Sequence, residues 1–360
     1  MANRIIFYPE FNIYGGEERN VVAFCHHLTR WAIPHEVVCY EDNMGLANYT
    51  KDPVKVTQLR PKGGGFSRPL AMGKYLREAA GNHSGRIYMG NLQSATHAGL
   101  VKVPDFVLRV SDTPSLLSFD RKVAFRGLRH WATKRGMKKA HAVVATTRYL
   151  ADELSTLYGI EPKIIPIGGN TDKLIFKNRP AGEDGQINLM SVCRLEASKR
   201  IDWILEVLRD LGLDHSMGNR KFHLDIVGAG SQLPELEKLA ADLGIREAVA
   251  FHGFLNDMDL ERVFERAHMF LMPAKQGFGM PLVEALARGI PTVCNKESGA
   301  SEYFPDTPWV GLFEGGEKAF LEATRQVIFN LESGKIHRAP LPEIPTEENW
   351  VRGLVELLGW

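Results

Sequence analysis

Residues 275–289 read KQGFGMPLVEALARG and follow the apolar run MFLM at positions 269–272. This order predicts a buried strand, a glycine loop, and a helix that begins at Pro281 and stops at Gly289. Free N–H groups and the positive dipole end at such a helix start suit an anion such as phosphate. Glu284, one turn in, would repel phosphate but accept hydrogen bonds from neighbouring ribose hydroxyls. The alternative is a flexible strand-to-helix turn with no ligand.

The same pattern of strand, loop and helix recurs along the chain. Apolar, strand-like runs alternate with helical segments on both sides of a polar, turn-rich segment at 171–186. This alternation predicts an α/β protein with two doubly wound, Rossmann-like domains, residues 1–170 and 171–345. Ligands of such domains bind at the carboxyl ends of the strands, so two domains facing across a cleft would put glycine loops on both walls.

Composition favours an ordinary cytoplasmic protein. The chain has 360 residues, and its four cysteines form no C-x-x-C pair or zinc spacing, which indicates free thiols in a reducing compartment. The opening MANRIIFYPEF is too short and soon polar for a signal peptide, and no apolar run approaches the roughly 20 residues of a membrane span. We expect a cytoplasmic location, at most peripheral to the inner face of a membrane.

Charge is divided unevenly between the two halves. Residues 1–170 contain 23 Lys and Arg against 14 Asp and Glu, whereas the remainder contains 21 against 29. A basic half and an acidic half predict two domains with different partners.

Two further loops of the second half follow strand-like runs. Arg194 and Lys199 lie in CRLEASKR, and two cations at a strand end would clamp a diphosphate. The alternative is that both are solvated surface charges. Gly228 lies in VGAGSQLPELE, where glycines let the backbone approach a ligand.

Two common phosphate motifs are missing from the loop at 275–289. It has no G-K-[ST], so it is not a P-loop, and Leu282 stands where the dinucleotide fingerprint has its third glycine. The missing glycine disfavours an NAD-dependent oxidoreductase.

Four segments together resemble a known family. CRLEASKRIDWILEVL, DIVGAGSQLPELEKLA, VAFHGFL and KQGFGMPLVEALARGIPTVCNKESGASEYF are similar, in order and spacing, to the nucleotide-sugar domain of family 4 glycosyltransferases. Those are retaining enzymes of the GT-B fold. YGGEERNVV resembles the glycine loop of their first domain, and EENWVRGLVELLGW in residues 346–360 resembles the helix that returns to that domain.

The resemblance implies roles for individual residues. Glu284 would bind the ribose hydroxyls, and Gln276 stands where the family has a carboxylate that touches the donor sugar. Arg194 and Lys199 match the basic pair on the diphosphate, and Gly16 matches the first-domain glycine that lets its loop close on the phosphates. The loop backbone that would meet the sugar and diphosphate comprises Gly277, Phe278, Gly279, Met280, Pro281 and Leu282.

The first half departs from the family at one reactive position. Where the family often has a His near the reacting sugar, this chain continues Ser111, Asp112, Thr113. Asp112 is the nearest candidate for a polar contact to the sugar or acceptor, or else a turn or N-cap residue. His97 is a weaker candidate, and packing on its own helix is the favoured interpretation.

The implied activity is retaining, metal-independent transfer of a sugar from a nucleotide-diphosphate donor, most simply a UDP- or GDP-sugar, to a glycan or lipid-linked acceptor. The sequence shows no His cluster, and its D-x-D run, Asp257-Met258-Asp259, stands at the start of a predicted helix. The resemblance implies neither a metal nor a cofactor. The loss of one carboxylate and one His leaves open a degenerate protein that binds nucleotide sugars without turnover.

A basic segment points to an anionic partner. Residues 121–139 carry eight Lys and Arg and no acid, with apolar residues interleaved. Such a segment can lie on an anionic membrane surface or receive an acidic acceptor, or be a solvated helix face. Nucleic acid is disfavoured because no nucleic-acid fold motif accompanies the charge. The candidate residues are Arg121, Lys122, Arg126, Arg129 and Trp131.

Overall fold

The computed structural model describes residues 4–63, 65–80, 85–111, 126–169, 185–304 and 307–360. The chain divides into two compact units, one comprising Met1–Gly168 with Thr346–Trp360 and the other Gly169–Pro345. Each unit is built on its own parallel sheet.

The sheet of the first unit has seven parallel strands in the order β5-β3-β1-β6-β7-β8-β9. A separate parallel pair is formed by β2 and β4. The strands are β1 Arg4–Phe7, β2 Glu10–Phe11, β3 His35–Cys39, β4 Glu41–Asp42, β5 Lys55–Gln58, β6 Ile87–Gly90, β7 Phe106–Val110, β8 Ala142–Ala145 and β9 Lys163–Ile164.

Five helices accompany these strands along the described part of the chain. They are α1 Gly16–Arg30, α2 Ser67–Ala80, α3 Asn91–Leu100, α4 Arg126–Lys139 and α5 Arg148–Tyr158. Helices α3 and α4 approach each other closely at two glycines. A Cβ on Gly99 would lie 1.8 Å from the Ala132 carbonyl oxygen, and one on Gly136 would lie 1.8 Å from that of Ala95. This contact fixes which face of α4 remains exposed.

The second unit has six parallel strands in the order β12-β11-β10-β13-β14-β15. The strands are β10 Gln186–Val192, β11 Lys221–Val227, β12 Val249–Phe251, β13 Met269–Met272, β14 Thr292–Asn295 and β15 Val310–Phe313. The helices are α6 Ile201–Leu213, α7 Leu233–Asp242, α8 Asp257–Arg266, α9 Met280–Ala287, α10 Glu317–Glu332 and α11 Lys335–Arg338.

The last helix, α12 Glu347–Leu358, packs on the first unit. Trp350 on its buried face lies 5.9 Å, centroid to centroid, from the ring of Phe24 on α1. The backbone N–H of Arg86 donates to the Leu358 carbonyl, and the Trp360 indole donates to the Arg86 carbonyl, both at 2.8 Å. The chain therefore returns to its first sheet after completing its second.

Several element boundaries differ from the sequence-based expectations. The apolar spacing of residues 20–31 predicts a helix that begins at Asn20, but α1 begins at Gly16. Gly15 before it takes an extended conformation, and its N–H donates to the Glu18 carboxylate at 3.1 Å. Strands β2, β4, β5, β9, β14 and β15 were not predicted, since each spans only two to four residues. The expected linker at 171–186 lies almost wholly outside the described residues, and its last residue, Gln186, already belongs to β10.

A buried carboxylate ties β11 to its neighbours in the second unit. Asp225 is fully buried, and its Oδ1 lies 2.6 Å from Nε2 of His252 while Arg266 donates to both of its oxygens at 2.5 and 3.0 Å. Burial alone would raise the pKa of Asp225, but hydrogen bonds from His223, Arg266 and His252 outweigh it and hold that pKa well below its usual range.

We expect Asp225→Asn to lower the free energy of unfolding at neutral pH by about 2–3 kcal/mol, because charge-assisted hydrogen bonds are lost. The folded pKa is depressed, so the stabilisation is present above the unfolded pKa of about 3.9 and is lost as pH falls through the folded pKa. Urea unfolding at neutral and acidic pH measures the difference in the free energy of unfolding between the wild type and Asp225→Asn, and this difference should become smaller below pH 4. Asp242→Asn, at an exposed position on α7, is the control, with an effect within about 0.5 kcal/mol. A difference that is independent of pH would contradict this role.

Candidate functional site

The two central strands of the second sheet bring together the loops singled out in the sequence. Strand β10 has β11 on one side and β13 on the other, so the chain leaves these neighbouring strands in opposite directions. Such a switch point leaves a crevice at the carboxyl ends of the strands, where α/β sheets bind ligands. Arg194 and Lys199 follow β10, and Gln276 follows β13. Both loops therefore border one crevice.

A hydrogen bond joins the two loops across this switch point. The Lys199 Nζ donates to Oε1 of Gln276 at 2.5 Å. Lys199 ends the short 3-10 turn Ala197–Lys199, and its backbone N–H donates to the Glu196 carbonyl at 2.8 Å. The predicted basic residue and the predicted sugar-facing residue are thus direct partners.

A third loop, after β14, supports the glycine loop through hydrogen bonds to its carbonyls. Backbone N–H groups of Gly299 and Ala300 donate to the carbonyls of Gln276 and Phe278 at 3.2 and 2.7 Å. The buried Ser298 hydroxyl donates to the Ala274 carbonyl at 3.0 Å. Sequence reasoning missed this function of residues 298–300, although the run of small residues S-G-A after a strand was an available signal.

Helix α9 begins at Met280, one residue earlier than predicted, and Pro281 is its second residue. The N-cap Gly279 has φ 97°, a left-handed conformation that favours glycine, and a Cβ there would lie 2.9 Å from Cε of Met272. Phe278 is buried, with its ring centroid 6.1 Å from that of Tyr303. The side chain of Phe278 therefore packs in the unit, while the loop backbone leads into the helix N-terminus.

Glu284 lies on α9 with only 4% of its surface exposed. The helix is anchored one turn further on, where Nη1 of Arg288 donates to the Glu284 carbonyl at 2.8 Å. The same guanidinium donates to both carboxylate oxygens of Glu261 on α8 and lies 4.4 Å from the ring centroid of Phe264. Arg288 thereby fixes the position of Glu284, a function that its sequence position did not suggest.

Gly228 is confined by neighbouring backbone. Its φ is 133°, and a Cβ would lie 1.8 Å from the Cys193 carbonyl oxygen. The neighbour that a side chain here would strike is therefore protein backbone. Backbone pairing continues beyond the end of β10, where the Cys193 N–H donates to the Val227 carbonyl at 3.1 Å and the Leu195 N–H donates to the Ala229 carbonyl at 2.9 Å. The glycine holds the segment that carries Arg194, whose side chain is exposed.

The Glu196 carboxylate and the Cys193 thiol, which lie in the same loop, have their pKa values shifted by their surroundings. Ser231 donates its hydroxyl to the Glu196 carboxylate at 2.8 Å, and this hydrogen bond lowers the pKa of Glu196. Burial raises the pKa of Cys193 to about 11, against the opposing effect of Lys199 and Arg194. Cys193 is therefore a neutral thiol at physiological pH. All four cysteines are free of disulfides.

The first unit has its own switch point, between β1 and β6. Gly16 opens α1 there, and a Cβ on it would meet nothing within 4 Å. Glu17 accepts from Nη2 of Arg109 at 2.6 Å and from the Tyr8 hydroxyl at 3.2 Å. Burial alone would lower the pKa of the fully buried Arg109, but Glu17, Tyr88 and Tyr8 raise it. This ion pair fixes the first turn behind Gly16.

Sequence reasoning also missed Asn91 in the first unit. It has φ 65°, unusual for a residue other than glycine, and its side-chain oxygen accepts from the N–H groups of Gln93 and Ser94 at 3.0 and 3.2 Å. The side chain thus caps the start of α3 beside the switch point. The buried Arg109 had a visible signal, a lone cation inside the apolar run DFVLRV.

The remaining candidates of the first unit divide into three groups. Asp112, Arg121 and Lys122 lie outside the described residues, and Arg126 begins α4 but its side chain is not described. Arg129 and Trp131 lie on the exposed part of α4.

His97 is half-buried on α3, with its Nδ1 2.8 Å from the Tyr40 hydroxyl oxygen. Burial and Arg68 lower the pKa of His97 to about 4, so the ring is neutral at physiological pH.

The described residues contain no group of three His, Cys, Asp or Glu side chains placed to hold a metal ion. Within the same parts of the chain, none of the helices combines the length and apolar character needed to cross a bilayer.

Comparison with known proteins places these loops in a family context. Residues 172–330 match the family described as glycosyl transferases group 1. An uncharacterized glycosyltransferase of Methanocaldococcus jannaschii is 30% identical over 154 residues, which is 42% of this chain and 38% of that protein. A GDP-mannose-dependent alpha-(1-6)-phosphatidylinositol monomannoside mannosyltransferase of Mycolicibacterium smegmatis is 26% identical over 192 residues, 48% of each chain. The match therefore spans less than half of the length of either relative.

Solved structures match over nearly the whole chain. WaaG, a glycosyltransferase involved in lipopolysaccharide biosynthesis, has a TM-score of 0.66 at 18% identity, with 99% of this chain and 95% of that chain covered. HepE of Anabaena in complex with UDP-glucose has a TM-score of 0.70 at 16% identity, with the same coverage. The fold is GT-B, and the second unit carries the sequence pattern of the group 1 glycosyltransferases.

Proposed function

We propose that the chain is a retaining glycosyltransferase that moves a sugar from a nucleoside-diphosphate donor to an acceptor hydroxyl. The convergence of Lys199, Gln276 and the start of α9 at one switch point carries this proposal. A helix N-terminus and a basic pair suit a diphosphate, and Glu284 on the same helix suits ribose hydroxyls.

The donor is a UDP- or GDP-sugar in this proposal. The mannosyltransferase relative is named for its dependence on GDP-mannose, and HepE was solved with UDP-glucose. Both nucleotides offer the same chemistry to the site, a ribose next to a diphosphate. No cofactor is needed, because the donor itself carries the activated sugar.

In the transfer step, the bond from the sugar C1 to the β-phosphate oxygen breaks, and a bond from C1 to the acceptor oxygen forms on the same face. The departing phosphate oxygen takes the proton of the acceptor hydroxyl, so the chain supplies no strong base. Arg194, Lys199 and the dipole of α9 stabilise the negative charge that grows on the leaving diphosphate. These cations perform the function that a metal ion has elsewhere, and we propose that transfer is metal-independent.

Glu284→Ala should raise the Kd for UDP or GDP by about tenfold to a hundredfold, because hydrogen bonds to a charged acceptor contribute about 1.5–3 kcal/mol each. Isothermal titration calorimetry measures this change, with thermal unfolding to verify that the variant folds. The matched control is Glu235→Ala, an exposed carboxylate in the first turn of α7. An unchanged Kd would remove Glu284 from the donor site.

Lys199→Ala and Arg194→Ala should each lower kcat/KM by at least tenfold while thermal stability changes little, since the charge they meet grows in the transition state. Release of nucleoside diphosphate provides the assay, and it should continue undiminished in excess EDTA. Lys238→Ala is the control, because that lysine is exposed on α7, away from the loops of the crevice. Loss of turnover in EDTA that magnesium restores would contradict metal independence, and binding without turnover by the wild type would identify the degenerate alternative.

We propose that the acceptor, a glycan or lipid-linked precursor, is anionic and meets the exposed face of α4. Trp131 is 50% exposed, and the Arg135 guanidinium carbon lies 5.3 Å from its ring centroid. Lys139 donates to the Ala98 and Val101 carbonyls at the end of α3, at 3.0 Å each. Arg129, Arg135 and Lys138 extend the positive charge along the exposed side. An anionic acceptor in a membrane would bring the protein to that surface, consistent with a peripheral location at the inner face.

The double variant Arg135→Glu with Lys138→Glu should abolish sedimentation with vesicles that contain phosphatidylglycerol, since each basic residue near such a surface contributes about 1 kcal/mol. Vesicles of phosphatidylcholine give the baseline. Lys74→Glu, a reversal at an exposed position on α2, should leave binding unchanged. Equal binding of both vesicle types by the wild type would contradict an anionic surface as the partner.

A further inference from the structure

We infer that Gln276 presents amide N–H donors to the donor sugar and thereby favours a sugar that carries an acceptor-only oxygen. Such an oxygen belongs to the carbonyl of an acetamido group or to the carboxylate of a uronic acid. The inference rests on the proposed function, because it names the class of sugar that the same site would select.

The direction of the Gln276 amide follows from its partner. An ammonium has three N–H donors and no acceptor, so the atom that lies 2.5 Å from Nζ of Lys199 is the amide oxygen. The other end of the amide is Nε2, with two N–H donors. Among the described residues, none accepts a hydrogen bond from this nitrogen, and the side chain is partly exposed. Nε2 is therefore the group that Gln276 offers to a ligand in the crevice.

Gln276 is held at its backbone carbonyl and at its side-chain oxygen. Its carbonyl accepts from the Gly299 N–H at 3.2 Å, and its side-chain oxygen accepts from Lys199. The preceding residue, Lys275, pairs with Glu297 on the loop that braces this one. A side chain held at its backbone and at its amide oxygen loses little entropy when it binds, so the Nε2 donors are preorganised for the ligand.

A carboxylate in this position would have the opposite preference. It would present a second acceptor oxygen, and its charge would neutralise Lys199. A sugar hydroxyl satisfies either side chain, because it both donates and accepts. A carbonyl or carboxylate oxygen only accepts, so it pairs with the amide of Gln276 and is repelled by a carboxylate. Gln276 and a carboxylate at the same position therefore differ in their affinity for sugars that carry an acceptor-only oxygen.

The test compares Gln276→Glu with wild type against matched donors. Free UDP and GDP are titrated first, and the series follows the nucleotide that binds. The first series is UDP-glucose, UDP-N-acetylglucosamine and UDP-glucuronate, and the second is GDP-mannose and GDP-mannuronate. Each sugar's Kd is divided by that of the free nucleoside diphosphate, which removes the effect of neutralising Lys199. Gln326→Glu on α10, an exposed position, is the charge-matched control.

We expect the wild type to bind at least one sugar with an acceptor-only oxygen more tightly than its hydroxyl-only partner. Gln276→Glu should reduce that preference at least tenfold, and Gln326→Glu should leave it unchanged. A loss confined to the acetamido sugar or to the uronate identifies which of the two the site takes. A preference that survives Gln276→Glu, or a wild type that favours the hydroxyl-only sugar, overturns the inference while the proposed function stands. Failure of the wild type to bind either free nucleotide overturns both.

Discussion

Adjacency of β10 and β13 in a parallel sheet is the constraint on which the candidate site depends. Because all strands point the same way, their following loops lie at one edge, and the chain leaves these two strands in opposite directions. Residues 77 positions apart, Lys199 and Gln276, can then share a hydrogen bond. Without this strand order, the basic pair and the glycine loop would be two separate surface features.

Charged groups in the two units serve distinct physical purposes. Arg109 in the first unit and Asp225 in the second are fully buried and held by opposite charges, Glu17 and Arg266. A buried charge must be paired, since desolvation without a partner costs several kcal/mol. Arg194 is exposed at a strand end, where its charge can meet a mobile anion. Burial therefore distinguishes Arg109 and Asp225, whose ion pairs hold elements in place, from Arg194, whose exposed charge is able to meet a ligand.

Several glycines in this protein allow two backbone segments to approach each other closely. Gly228 allows the backbone beyond β10 to pass within contact distance of the next loop, while Gly99 and Gly136 let α3 and α4 pack carbonyl against helix. Gly279 has a left-handed conformation at the start of α9, in the loop where the sequence predicts a glycine-dependent turn. The small residues at 298–300 complete that loop by donating hydrogen bonds to its carbonyls.

The sequence by itself determined the alternation of strands and helices, the exact run of β13, the helix that carries Glu284 and the loops that hold Arg194, Lys199 and Gln276. These features depend on local patterns of apolar residues, glycine and proline, which act over a few positions. Only the tertiary structure decided that Lys199 bonds Gln276, that Arg288 anchors α9 to Glu261, and that Gly228 faces backbone. Polar strands such as β5 and the left-handed Asn91 were also beyond the sequence, because neighbouring strands and caps stabilise them and local propensity does not. Partners distant in the chain meet only after the sheet has set their order, so no local pattern records them.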